Sequence, residues 1–191
     1  MITPSLEREG FDALKSKLRQ DTCYIEYGVG GSTVLAAKQI TTGAIFAVDT
    51  SSEWIEKVKK ETQDTSAVLR ITHCNFGSVQ GWGTPETNDH FADYWQYMQM
   101  PWLASKYYPP VSLVLVDGRF RVASFLFSLI SAKPGTTILF DDYATRQRYH
   151  VVEDFCNVHK YHKRMAEFIV PDVKVTPELA ATIAEYSVNF E

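Results

Sequence analysis

The chain has 191 residues, 45% hydrophobic and 22% charged, enough for one domain with a continuous core. Its 19 Lys and Arg against 23 Asp and Glu leave a formal net charge of −4. With no basic run, it is a poor candidate for gripping a phosphate backbone, so no nucleic-acid partner is expected. The densest basic stretch, Lys57 to Lys60, is interleaved with Glu53, Glu56 and Glu61 and reads as a solvated helix face. Cys23, Cys74 and Cys156 are too few and too scattered for a disulfide scaffold or a zinc knuckle and read as packed thiols. Residues 1–8 lack the basic-then-apolar pattern of a secretory leader, and no apolar stretch approaches a membrane span. A cytoplasmic single domain over residues 1–191, without membrane contact, is the expectation.

In chain order, short β-rich runs alternate with helical patterns. Leu6 to Leu18 has helical spacing, Cys23 to Tyr27 reads as a strand, and Thr33 to Ile40 as a helix after a glycine turn. Ala44 to Asp49 is the second strand. Thr50 and Glu53 have capping-box spacing, which predicts a helix to about Glu61. Ala67 to Cys74 is the third strand. The near-continuous apolar runs Val111 to Asp117 and Thr136 to Asp141 are the clearest strands, as expected where both faces are covered. Arg121 to Ala132 forms an apolar helix between them. A helix over about Arg146 to Lys160 and a strand over Met165 to Val170 follow. Thr176-Pro177 reads as an N-cap with proline at the first helical position, opening a helix to about Tyr186. Whether Tyr186 to Phe190 adds a strand is left open. This alternation predicts an α/β, Rossmann-like doubly wound domain: a mostly parallel sheet of six or seven strands with helices on both faces. The irregular stretch 75–110, helical in part over about His90 to Tyr107, reads as an insertion forming a lid or substrate wall.

In open α/β sheets ligands bind beyond the carboxyl ends of the strands. The first strand ends Glu26-Tyr27-Gly28-Val29-Gly30-Gly31-Ser32-Thr33, where glycines allow a sharp turn and close approach of a ligand. The second ends in Asp49, about 20 residues past the glycine turn, a spacing suited to a carboxylate that accepts a ribose diol. Thr33 stands where a dinucleotide fingerprint wants glycine, and no lysine follows the glycines as in a P-loop. An acid two residues before Gly28 suits a cationic amine better than a pyrophosphate. These features favour S-adenosylmethionine, which carries an ammonium and a sulfonium and no phosphate.

Over about Cys23 to Val170 the sequence resembles the class I S-adenosylmethionine-dependent methyltransferases. Glu26 to Thr33 is similar to their first motif and Phe46 to Asp49 to their second. His73-Cys74-Asn75-Phe76-Gly77, Trp82-Gly83-Thr84-Pro85 and Val116-Asp117-Gly118-Arg119-Phe120-Arg121 resemble methyltransferase-like bacterial proteins of unassigned substrate. The resemblance implies that Glu26, Gly28, Gly30, Ser32 and Thr33 hold the methionine portion of the cofactor and Asp49 the ribose. It places Asn75 or Phe76 at the adenine, with Asp117 beside the cofactor.

Asp117, Asp141 and Asp142 emerge at neighbouring strand ends, and an oxygen-only cluster suits a hard divalent cation such as Mg2+. The pattern is similar to metal-dependent O-methyltransferases, which implies methyl transfer to the hydroxyl of a small molecule or saccharide, with Asp117 and Asp141 catalytic. The other readings stay open: Asp117 as a turn starter paired with Arg119 or Arg121, Asp142 as a helix cap, and His150 as general base where no metal binds. A methyltransferase-like binding module without transfer is the alternative from another class.

Overall fold

The computed structural model describes residues 2–190. Helix α1 (Arg8–Lys17) precedes strand β1 (Cys23–Tyr27), helix α2 (Gly31–Gln39), β2 (Ala44–Asp49), α3 (Ser52–Glu61) and β3 (Val68–His73). A two-stranded ribbon, β4 (Val79–Gln80) and β5 (Thr84–Pro85), brackets a tight turn at Gly81–Gly83. Then come α4 (Trp95–Ser105), β6 (Leu113–Val116), α5 (Arg121–Ser131), β7 (Thr137–Phe140), β8 (Lys160–His162), β9 (Met165–Ile169) and α6 (Pro177–Tyr186).

The seven-stranded sheet runs β3-β2-β1-β6-β7-β9-β8. β3, β2, β1, β6 and β7 are parallel, and β9 is antiparallel to both neighbours. Strand order reverses between β1 and β6, where Tyr27 lies level with Val48 on one side and Val116 on the other. That reversal is the switch point at which α/β sheets open a crevice.

Alternation along β1 divides the core. Tyr24 joins Leu14 and Leu18 of α1 and Ala36 and Ile40 of α2 on one face. Cys23, Ile25 and Tyr27 join Tyr97 of α4 and Phe125 of α5 on the other. Burial on both faces explains the near-continuous apolar character of the central strands, which Glu26 interrupts in β1.

Several predicted elements differ in detail. Ser51, not Thr50, caps α3: its Oγ accepts the Trp54 N–H at 3.2 Å, while the Thr50 hydroxyl donates to the Gly83 carbonyl. The helix expected over 146–160 is a 3₁₀ segment, Gln147–Asp154, whose buried residues Tyr149 and Val152 stand three apart as a 3₁₀ face requires. The next residues form the edge strand β8, whose exposed, polar side chains carry no strand signal. Tyr186 to Phe190 forms no strand, and the Phe190 ring packs against Tyr94 and Phe120. Within 75–110, α4 is a crossover helix packed across β1, β2 and β3.

Candidate functional site at the carboxyl ends of the strands

Two acids flank the glycine turn. Glu26 faces α2, fully buried; one carboxylate oxygen accepts the Ser32 hydroxyl and the other, Oε2, has no hydrogen-bond partner among the described residues. Burial raises its carboxyl to about 8, opposed by the Ser32 and Thr33 hydroxyls and aided by the charges of Asp117 and Asp49. Thr33 Oγ1 accepts the Gly30 N–H at 2.9 Å and fixes the start of α2. Asp49 Oδ2 accepts the Val29 N–H at 2.9 Å and Oδ1 the Ser51 N–H at 2.8 Å. Burial raises the Asp49 carboxyl as well, opposed by these N–H donors. A carboxylate offers about four acceptor sites, so two backbone donors leave Asp49 capacity for a diol.

The glycines differ in what they do. Gly28 sits at φ +89°, and a Cβ there would come within 2.6 Å of Gly118 Cα, so the β1 and β6 loops cross at backbone contact. Gly30 is extended, and a Cβ would meet only Trp54 Nε1 at 3.6 Å. Folding does not require glycine at 30; its bareness keeps the loop open to an approaching ligand. The rim is otherwise tightly drawn. Thr3 and Pro4 lie on Gly31, Gly83 stands over Thr50, and the Trp54 indole donates to the Val29 carbonyl.

The acids beyond β6 and β7 are organised differently. Arg121, its side chain 6% exposed, reaches Asp117 Oδ1 at 3.3 Å and Asp142 Oδ2 at 3.1 Å, and donates to the carbonyls of Asp117, Gly118 and Asp141. Arg164 grips both oxygens of Asp141, at 3.2 and 2.8 Å, and reaches Asp142 at 3.2 Å. Arg146 adds a contact to Asp142 at 2.6 Å. The cation that three adjacent carboxylates require is therefore supplied by three arginines. No group of three metal-ligating side chains converges among the described residues. The expected Mg2+ site at Asp117, Asp141 and Asp142 does not fit: their oxygens face guanidinium groups. Asp117 keeps the most freedom, 27% exposed against 16% for Asp142 and 1% for Asp141. Desolvation and the neighbouring Asp141 and Asp142 outweigh Arg121 and raise its carboxyl to about 7.

Three other predicted site residues are engaged elsewhere. Phe76 is buried edge-on against Tyr94 and Phe120, not open to an adenine. Asn75 is exposed and its Oδ1 accepts the Gly77 N–H, closing a local turn. The His150 ring lies tilted against Tyr143 with centroids 4.8 Å apart, and its Nε2 lies 3.2 Å from the Tyr143 carbonyl, which orients the imidazole by its Nε2–H. Sequence reasoning missed Arg164, whose link to Asp141 is tertiary. Tyr97, one of the aromatics that the sequence offers as a pocket wall or as plain packing, is buried, and its hydroxyl accepts the Arg119 N–H at 3.2 Å beside Gly118.

The fold has close counterparts among solved structures. A methyltransferase-like protein from Silicibacter pomeroyi DSS-3 superposes with a TM-score of 0.89 over 98% of both chains at 26% identity. By fold, the chain belongs to the class I S-adenosylmethionine-dependent methyltransferase superfamily. More distant likenesses, of fold alone, include an O-methyltransferase from Streptomyces achromogenes solved with S-adenosylmethionine (TM-score 0.53, 15% identity, 86% of this chain and 79% of that one). An RNA methyltransferase from Salinibacter ruber solved with S-adenosylhomocysteine is similar at TM-score 0.50 and 10% identity, over 93% and 99% of the chains. No family model and no curated protein matches the sequence. No helix of the described residues is long and apolar enough to cross a membrane.

Proposed function

We propose that this methyltransferase-fold chain binds S-adenosylmethionine between the β1 and β2 loops and methylates a hydroxyl of a small molecule or saccharide. The orphaned Oε2 of Glu26 carries the reading: a fully buried carboxylate oxygen without a donor is costly unless a ligand supplies one, and the cofactor's ammonium is such a donor. Asp49 would take the ribose hydroxyls, and the bare Gly30 would let the chain between them approach. When bound, S-adenosylmethionine supplies an electrophilic methyl group on a positively charged sulfur.

The chain's own part is positioning and proton transfer. Asp117, at the switch point and near 7, suits a general base that takes the proton of the acceptor hydroxyl as its oxygen gains the methyl group. Arg121 holds that carboxylate in place from the protein side. Transfer by this route survives chelator, and Asp117→Asn lowers kcat by roughly 100-fold or more while leaving S-adenosylhomocysteine affinity nearly unchanged. Loss of activity to chelator with full activity in Asp117→Asn would contradict it. The tight rim, with Gly83 over Thr50 and Thr3-Pro4 on Gly31, favours a second reading: a cofactor-binding module without transfer. Tight binding of S-adenosylhomocysteine with no turnover on any of a broad panel of hydroxylated acceptors would select it.

A further inference from the structure

One cation of the Asp117–Arg121 turn takes no part in the acid cluster. Arg119 is half-buried, its Nε is buried without a partner, and its side chain makes no ion pair or hydrogen bond among the described residues. Its backbone is fixed: the N–H donates to Tyr97 Oη, and Phe120 next to it holds φ 51°, a left-handed conformation that bulky residues rarely adopt. The Phe120 ring packs 5.3 Å from Tyr97, which stabilises that turn. Gly118, the residue before it, lies in backbone contact with Gly28, so Arg119 follows directly on the point where the β1 and β6 loops cross, and Asp49 is an acid whose charge acts on its guanidinium. A partly buried guanidinium has five N–H donors and matches planar anions in a fork. Left idle there, it is an expense the fold does not explain.

We infer that Arg119 is a specificity residue that recognises a carboxylate or phosphate on the methyl acceptor. The inference rests on the cofactor reading above. The cofactor has a carboxylate too, but that group shares a carbon with the ammonium assigned to Glu26. Glu26 faces α2 on one side of the sheet, under Ser32, whereas the Arg119 backbone N–H is tied to Tyr97 of α4, which packs on the other. An acceptor lacking the anion would leave the guanidinium unpaired, and a neutral analogue is disfavoured for that reason.

The test compares the full chain with Arg119→Gln and Arg119→Lys. Inorganic phosphate alone should raise the melting temperature of the unmodified chain and not that of Arg119→Gln. With S-adenosylhomocysteine bound, 3,4-dihydroxybenzoate should bind roughly 10- to 100-fold more tightly than 3,4-dihydroxybenzamide. Arg119→Gln should erase that preference and Arg119→Lys should restore part of it, since lysine keeps the charge and loses the fork. Equal responses of the unmodified chain and Arg119→Gln to phosphate would overturn the proposal. So would a fall in S-adenosylhomocysteine affinity in Arg119→Gln with methylthioadenosine affinity intact, because the anion would then be the cofactor's own. If the unmodified chain binds no S-adenosylhomocysteine, the cofactor reading fails, and the phosphate response still decides whether Arg119 is an anion site.

Discussion

The carboxyl end of this sheet carries two sets of acids that have been treated in opposite ways. At β1 and β2, Glu26 and Asp49 are held by a hydroxyl and backbone N–H groups and, among the described residues, make no ion pair and leave one oxygen with no hydrogen-bond partner. At β6 and β7, Asp117, Asp141 and Asp142 share three arginines. Acids at strand ends therefore do not all have the same role. Where cations are built in, the acids tie the loops together; where they are left out, the proposed cofactor would bring the cation.

The largest effect that would break this contrast comes from Arg121. Arg121→Met strands buried parts of Asp117 and Asp142 and should cost about 3–5 kcal/mol in denaturant unfolding. A neutral result would show that the cluster is not structural. Arg164→Gln should cost about 2 kcal/mol, less because its side chain is 29% exposed and solvent screens the pair.

Glu26 sharpens the contrast through pH. Its folded carboxyl, near 8, lies above the ordinary 4.5, so between these values the folded state holds a proton that the unfolded state has released. Stability contributed by Glu26 is then lost as pH rises through that window. Glu26→Gln should be more stable than the unmodified chain at pH 8.5, with the gap closing towards pH 5. A pH-independent gap in melting temperature would contradict the orphaned carboxylate. The smallest effect is local: Ser51→Ala should lose about 1 kcal/mol as the α3 cap, and Thr50→Ala should act instead through the Gly83 turn.

The five parallel strands and the Thr176 cap were legible because their signals are local: short β-rich, mostly apolar runs and capping chemistry. β8 was not, since an edge strand of exposed polar residues reads like a frayed helix end. The glycine turn, Glu26 and Asp49 were visible from their order and spacing. The pairing that removes the metal site was only half visible. Arg121 lies four residues from Asp117 and can be named as a partner from the sequence, but Arg164 meets Asp141 through the antiparallel packing of β9 on β7. Phe76 was misplaced for a similar reason: its burial depends on Tyr94 and Phe120, which only the folded crossover brings to it.

The most direct measurement is a calorimetric titration of S-adenosylhomocysteine into three proteins: the unmodified chain, Asp49→Ala from the open set of acids, and Arg164→Gln from the paired set. The unmodified chain should bind. Asp49→Ala should bind roughly 10- to 100-fold more weakly, having lost charge-assisted acceptors for the ribose. Arg164→Gln should bind as the unmodified chain does. No binding by the unmodified chain, or equal losses in both variants, would contradict the claim that the unpaired acids of β1 and β2 form the cofactor site.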